Sequence, residues 1–406
     1  MAWFASLLLP LLTLPHALGD ENDLIVLADG KRQACRILLE TEQKVVYRVK
    51  SKTIEVPRGE VKEIQSVERS LHAYLDMIAK ADPRDVKALQ DLALFAETSD
   101  LPGEANNTWI RILTIDPENA QAWTKLGGVK RRTGWELKVR GRFLTLEELR
   151  TRVSDWKNAL ELRTAHFVVK TDAEPERALN VALDVERAYI TLYDVLGKPL
   201  ELYTFDEVPE IQIFADPKDY PAPPVPGRPS WFDRSANVLY VNRQQATEYS
   251  AIVAEFTEAL IFNAFRRTLG KTGELEPWAR EGLKQAFAAA VRPDPGRVVF
   301  DFTAPYLPHF QAQASDAKAL TLAQVLRAGF ASFDSGSDQS RYTAQSYTLM
   351  HFLVFYENKK YRTALANFLR ESYLGKGGSS NLLEAVGTDE KTLESQWSGY
   401  VRSVAG

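Results

Sequence analysis

The chain has 406 residues, 45% apolar and 26% charged, which suits two or three hydrophobic cores and excludes long disorder. Its 50 Lys and Arg face 54 Asp and Glu, a formal net charge of −4 that offers no overall footprint for nucleic acid or an anionic membrane. The single cysteine, Cys35, excludes an internal disulfide, so packing alone must hold the fold.

Trp3 to Leu14 is an apolar run broken by Ser6, Pro10 and Thr13, and Ala17-Leu18-Gly19 places small residues at the −3 and −1 positions before Asp20. That is the pattern of a secretory signal peptide over residues 1–19, and it predicts an extracytoplasmic protein, periplasmic or secreted. No later stretch is apolar enough to span a bilayer, so no membrane span is expected after cleavage.

Residues 24–65 read as short strands between turn dipeptides such as Asp29-Gly30 and Lys50-Ser51. The pattern resembles a small SH3-like β-barrel over residues 20–66, with Cys35 as apolar filler. From 67 to 135 the period turns helical. Asp82-Pro83 and Asp116-Pro117 lie 34 residues apart, each ahead of a helix-like segment, and this resembles about one and a half tetratricopeptide repeats. A connector is expected over 136–159, with Ser154 capping the segment after it.

The third region, 160–406, reads as a strand at 166–171, a helix at 175–196, and strands at 210–214 and 237–241. A loop with six prolines at 216–229 separates the last two strands. Helices follow at 247–269 and 276–291. Apart from a Pro-rich stretch around 292–308, the remainder reads as helical, giving an N-lobe to about 291 and a helical C-lobe over 309–403. The whole is α+β and multidomain.

The first of those two helices carries Ala254-Glu255-Phe256-Thr257-Glu258, and the second carries Pro277-Trp278-Ala279-Arg280-Glu281-Gly282, with Glu281 23 residues beyond Glu258. This order resembles the peptidase MA-like domain of secreted bacterial proteins, a gluzincin-type metallopeptidase fold. Further similarity lies at Tyr342 to Tyr347 and around Trp397. In that family H-E-x-x-H supplies two zinc-binding imidazoles at i and i+4 and a general-base Glu. A Glu in W-x-x-E-G on the next helix is the third ligand.

Carried over by position, Glu255 stands at the general-base place and Glu281 at the third-ligand place. Ala254 and Glu258 replace the two histidines. The five histidines, at 16, 72, 166, 309 and 351, are too scattered to substitute. The resemblance therefore implies a catalytically inactive protein without zinc, with a binding or scaffolding role toward a protein or an extended peptide. Ca²⁺ or Mg²⁺ on the carboxylates stays open. So do a working hydrolase with a carboxylate metal site and a peptide-binding adaptor acting through the helical repeat. No nucleic-acid partner is expected.

The implied substrate-binding residues are Val238, Tyr240, Trp278 and Tyr342, with the 237–241 strand at the sheet edge. Two plainer readings stand beside these: Glu255 and Glu258 as the solvated stripe of an amphipathic helix, and Glu281 as an ordinary exposed charge.

Overall fold

The computed structural model describes residues 22–198, 201–205, 208–224, 226–244, 249–269, 274–294, 297–334, 337–376 and 378–406. The leader expected at 1–19 lies outside the described residues. The architecture is mixed α/β.

Short apolar runs with turns between them produce five antiparallel strands: β1 (Asp23–Leu27), β2 (Arg32–Glu40), β3 (Lys44–Val49), β4 (Lys52–Pro57) and β5 (Val61–Gln65). They lie in the order β4-β3-β2-β1-β5. Ile25, Cys35, Ile37, Val45, Tyr47 and Ile64 form their core, and Cys35 is wholly buried there. The Asp23 carboxylate accepts the backbone N–H groups of Ile37 and Val67 at 2.6 and 2.9 Å, tying this sheet to the helix that follows.

That helix is α1 (Val67–Lys80); α2 (Val86–Thr98), α3 (Pro102–Ile115) and α4 (Ala120–Lys125) come next. Asp85 and Asn119 cap α2 and α4 with their side chains, so the two Asp-Pro pairs sit in the turns ahead of the helices. The helical run stops at Lys125, short of the expected boundary near 135. Gly127 there takes a φ of +80°, and a Cβ on Gly128 would come 2.5 Å from the Trp123 ring.

Three strands stand where the end of the helical segment and the start of the connector are expected: β6 (Val129–Arg131), β7 (Gly134–Val139) and β8 (Arg142–Leu144), paired in that order. Trp135, Leu137 and Val139 alternate with Glu136, Lys138 and Arg140, the period of a strand. A capping box between Thr145 and Glu148 then opens α5 (Leu146–Val153), and Ser154 closes that helix instead of opening the next segment.

The largest sheet contains β9 (Leu160–Arg163), β10 (Val168–Thr171), β11 (Glu210–Phe214), β12 (Ser230–Asp233) and β13 (Val238–Asn242), with α6 (Pro175–Leu192) between β10 and β11. Its order is β12-β13-β11-β10-β9. The inner three strands are parallel and the outer two antiparallel to their neighbours.

The 237–241 strand is therefore not the edge. β12 runs along it, with Trp231 opposite Tyr240. The reason is a tight turn: Asp233 Oδ1 accepts the N–H groups of Ser235 and Ala236, and Asn237 adopts a φ of +55°.

Phe232, Leu239 and Val241 join the main core beneath the sheet. Alternation then turns Trp231, Val238 and Tyr240 to its opposite face.

Helix α7 (Tyr249–Leu269) packs under β12 and β13, and α8 (Pro277–Ala290) packs against α7, followed by a hairpin of β14 (Val291–Asp294) and β15 (Arg297–Phe300). Among the described residues, seven α-helices follow: α9 (Leu307–Ser315), α10 (Leu322–Leu326), α11 (Ala331–Asp334), α12 (Gln339–Lys359), α13 (Arg362–Glu371), α14 (Ser379–Val386) and α15 (Glu390–Ala405). One core runs from Val153 to Val401, so the sheet, α7, α8 and the C-terminal helices share an interior. No helix among the described residues is long and apolar enough to cross a membrane.

Candidate functional site

The Trp-x-x-Glu-Gly segment owes its spacing to packing. Trp278 is wholly buried and stacks on Phe368 at 5.6 Å, anchoring the first turn of α8. One helical turn on, Gly282 faces α12 so closely that a Cβ would lie 2.7 Å from the Ser346 carbonyl oxygen. Glu281, between these anchors, and Lys284, two residues past the second, turn toward α7, where Glu255 and Glu258 meet them.

The three carboxylates gather around one ammonium. Lys284 Nζ donates to Glu255 Oε1 at 2.6 Å and lies 3.7 Å from Glu258 Oε2 and 3.9 Å from Glu281 Oε2. Lys284 is 5% exposed and Glu255 8%, which rules out a solvated stripe, and the Glu281 side chain is 14% exposed, which rules out a free surface charge.

Arginines complete the shell. The turn between β12 and β13 delivers Arg234, whose Nη2 and Nε donate to Glu258 Oε1 at 3.0 and 3.2 Å while Nη1 reaches Glu274 at 2.6 Å. Arg280 stands 3.8 Å from Glu258, and Arg228 of the Pro-rich loop 3.9 Å from Glu255. Gln285 donates to Glu281 Oε1 at 2.8 Å.

Electrostatics follow from this geometry. Burial alone would lower the Lys284 ammonium, but Glu255, Glu281 and Glu258 outweigh it and raise it above its ordinary value. Burial alone would raise the Glu258 carboxyl, but Lys284, Arg280 and Arg234 hold it below the usual carboxylate range. Lys284 is thus a fixed cation, unsuited to act as a nucleophile or base.

A zinc ion of the kind a gluzincin carries does not fit these residues. Ala254 offers no donor atom, and the Lys284 ammonium stands among the carboxylates where a dication would have to sit. The same charge opposes Ca²⁺ or Mg²⁺. Among the described residues, no group of three or more His, Cys, Asp or Glu is arranged to hold a metal ion.

The four expected substrate-binding residues lie elsewhere. Val238 and Tyr240 turn to the face of the sheet away from α7, Tyr240 with its ring 4.7 Å from Trp231. Trp278 is core, and Tyr342 on α12 meets Phe333 edge-on at 5.6 Å. The residues that line the cluster, Arg228, Arg234, Arg280 and Lys284, are not among those the sequence singles out. A signal for two of them is there: Arg280 and Lys284 share a helix face at i and i+4, and Lys284 is three residues beyond Glu281.

A second buried polar group joins three parts of the chain. His166, between β9 and β10, is 1% exposed and stacks on Tyr189 at 3.9 Å. Its Nδ1 meets Glu186 of α6 at 2.8 Å and its Nε2 meets Glu68 of α1 at 2.8 Å. Burial alone would lower this imidazolium, yet the two carboxylates push it up to about 10. His166 is a satisfied core residue, as a lone histidine among apolar neighbours suggests.

The chain matches no protein-family model and no curated protein.

Proposed function

We propose that residues 160–406 form a gluzincin-type, peptidase MA-like domain that has exchanged its metal for an internal ammonium and acts by binding or scaffolding instead of hydrolysis. In this reading, residues 20–66 are an SH3-like barrel and 67–125 a partial tetratricopeptide-like spacer, both carried as adaptors. The residue 1–19 leader directs the protein outside the cytoplasm. The partner is a protein or an extended peptide.

The observation that carries the proposal is Lys284 Nζ within 4 Å of Glu255, Glu258 and Glu281. Three carboxylates at degenerate metal-site positions converge from two helices, and a fixed positive charge answers them. An enzyme of this class needs an exchangeable cation with an open coordination position to activate water, and a tethered ammonium supplies neither.

The test is hydrolysis of an unstructured protein substrate and a fluorogenic peptide library, each with added Zn²⁺, Ca²⁺ or Mg²⁺. The expected result is no cleavage above buffer with any of the three. Metal-dependent cleavage abolished by Glu255→Gln would return the protein to the enzymes and overturn the proposal.

A further inference from the structure

Glu258 is shared by three cations. Arg234 donates twice to its Oε1, Arg280 Nη1 lies 3.8 Å from the same oxygen, and Lys284 Nζ lies 3.7 Å from its Oε2. Two of the three have a second acceptor: Arg234 reaches Glu274 at 2.6 Å, and Lys284 reaches Glu255 at 2.6 Å. Arg280 has none. Its distance from Glu258 is beyond a hydrogen bond, and its side chain donates no hydrogen bond among the described residues. Its neighbour in sequence, Glu281, turns instead to Gln285 and Lys284.

The surroundings of Arg280 fix the guanidinium without satisfying it. It stands over the ring of Phe330, 4.4 Å from the ring centre, in the turn between α10 and α11. An aromatic face steadies a cation but accepts nothing in the plane of the guanidinium. Nε is closed to water and has no acceptor, whereas Nη1 and Nη2 are neither bonded nor closed off. The side chain is 20% exposed against 12% for Glu258, so the open end of the fork faces outward from the carboxylate it partly answers.

We infer that Arg280 reads a carboxylate on the extended peptide that the binding role proposed above assigns to this domain, and the inference rests on that role. The carboxylate belongs to an Asp or Glu side chain or to the C-terminus of the peptide. A guanidinium presents parallel N–H groups that match the two oxygens of a carboxylate, and a charged pair of this kind is about twice as strong as a neutral hydrogen bond. A backbone carbonyl would take one donor and leave the charge unanswered. A phosphate dianion would bring a second negative charge toward Glu258, which already stands 3.8 Å from the same guanidinium. Lys284 cannot serve in its place, since its ammonium is enclosed by the three glutamates.

The test is an array of random-sequence decapeptides, each printed with a free and with an amidated C-terminus and probed with the full chain. The expected result is dependence on a carboxylate. Enrichment of Asp and Glu among the bound amidated peptides assigns it to a side chain, and binding lost on amidation assigns it to the C-terminus. Replacing that acid by its amide in the best-bound peptide should weaken binding on the order of tenfold to a hundredfold. Arg280→Gln should erase the difference between acid and amide peptides, and Arg280→Lys, which keeps the charge without the fork, should restore part of it. If Arg280→Gln folds poorly, the unaltered chain labelled with ¹⁵N at arginine decides: sodium acetate should shift the Arg280 Nε–H resonance to saturation where equal sodium chloride does not. No peptide bound at all would count against the binding role itself and take this inference with it. Peptides bound without preference for an acid, a preference that survives in folded Arg280→Gln, or an Arg280 resonance indifferent to acetate would overturn this inference alone.

Discussion

Lys284 keeps a positive charge in a space nearly closed to water because each carboxylate near it is held from another side as well. Arg234 grips Glu258, Gln285 grips Glu281, and Arg228 approaches Glu255. A dication cannot enter while that ammonium stays, even if the missing imidazoles are restored. Ala254→His with Glu258→His builds an i, i+4 pair facing Glu281 but leaves the like charge in place. The double variant should therefore bind no zinc. Adding Lys284→Ala removes the competing cation and should yield roughly one zinc per chain by elemental analysis. Zinc in the double variant would show that the ammonium is not the obstacle. A folded triple variant without zinc would mean that α7 and α8 do not meet as metallopeptidase helices do.

At the scale of elements, α8 is positioned by close approach to α12, and Gly282 permits it. In an exposed helix, Gly→Ala gains about 1 kcal/mol from lower backbone freedom in the unfolded chain. At Gly282 the added methyl would stand 2.7 Å from the Ser346 carbonyl oxygen and 3.0 Å from Met350 Cβ. A backbone atom cannot swing aside, so the clash outweighs propensity. Gly282→Ala should destabilise by roughly 1–3 kcal/mol in urea unfolding, and a stabilised protein would mean that the two helices pack less closely. Long periodic segments such as α6, α7 and α8 are legible in the sequence because each carries its own signal. The edge strand β12 is not, since a four-residue strand beside a Pro-rich loop is specified by its turn and by its partner β13. The sheet of β6, β7 and β8 is hidden because its short strands straddle the boundary between a segment whose repeats read as helical and one that reads as a connector. The positions of Glu255, Glu258 and Glu281 are legible from spacing; the ammonium between them is not, because nothing in a sequence says which way Lys284 turns.

Across the whole molecule, the N-terminal sheet, the helical segment and the large α/β region meet at buried titratable groups. Asp23 bonds to Ile37 and Val67, Glu104 of α3 accepts the Ala165 N–H at 2.7 Å, and His166 bridges Glu68 and Glu186. Burial pushes Asp23 up to about 6, and burial with the neighbouring Glu186 charge pushes Glu104 up to about 7. A carboxyl whose pKa is higher folded than unfolded adds stability that is complete below its ordinary value and is lost as pH rises through the folded value. His166, raised to about 10, follows the same sign: its contribution is complete below the ordinary 6.5 and fades as pH rises toward 10. Glu68 is held below its ordinary value because its histidine partners outweigh burial, so its contribution is present above that value and is lost only in stronger acid. The junctions should therefore be firmest near pH 5 and loosen progressively toward alkaline pH. Glu104→Gln isolates one step. It keeps an acceptor for Ala165, removes the charge facing Glu186, and should raise stability near pH 8 by on the order of 1–2 kcal/mol, with little change near pH 5. Thermal unfolding at the two pH values checks it, since that gain corresponds to a shift of a few degrees at the higher pH only. An equal effect at both pH values would mean that Glu104 does not titrate between them, and the acid-side firmness of the junction would then need another source.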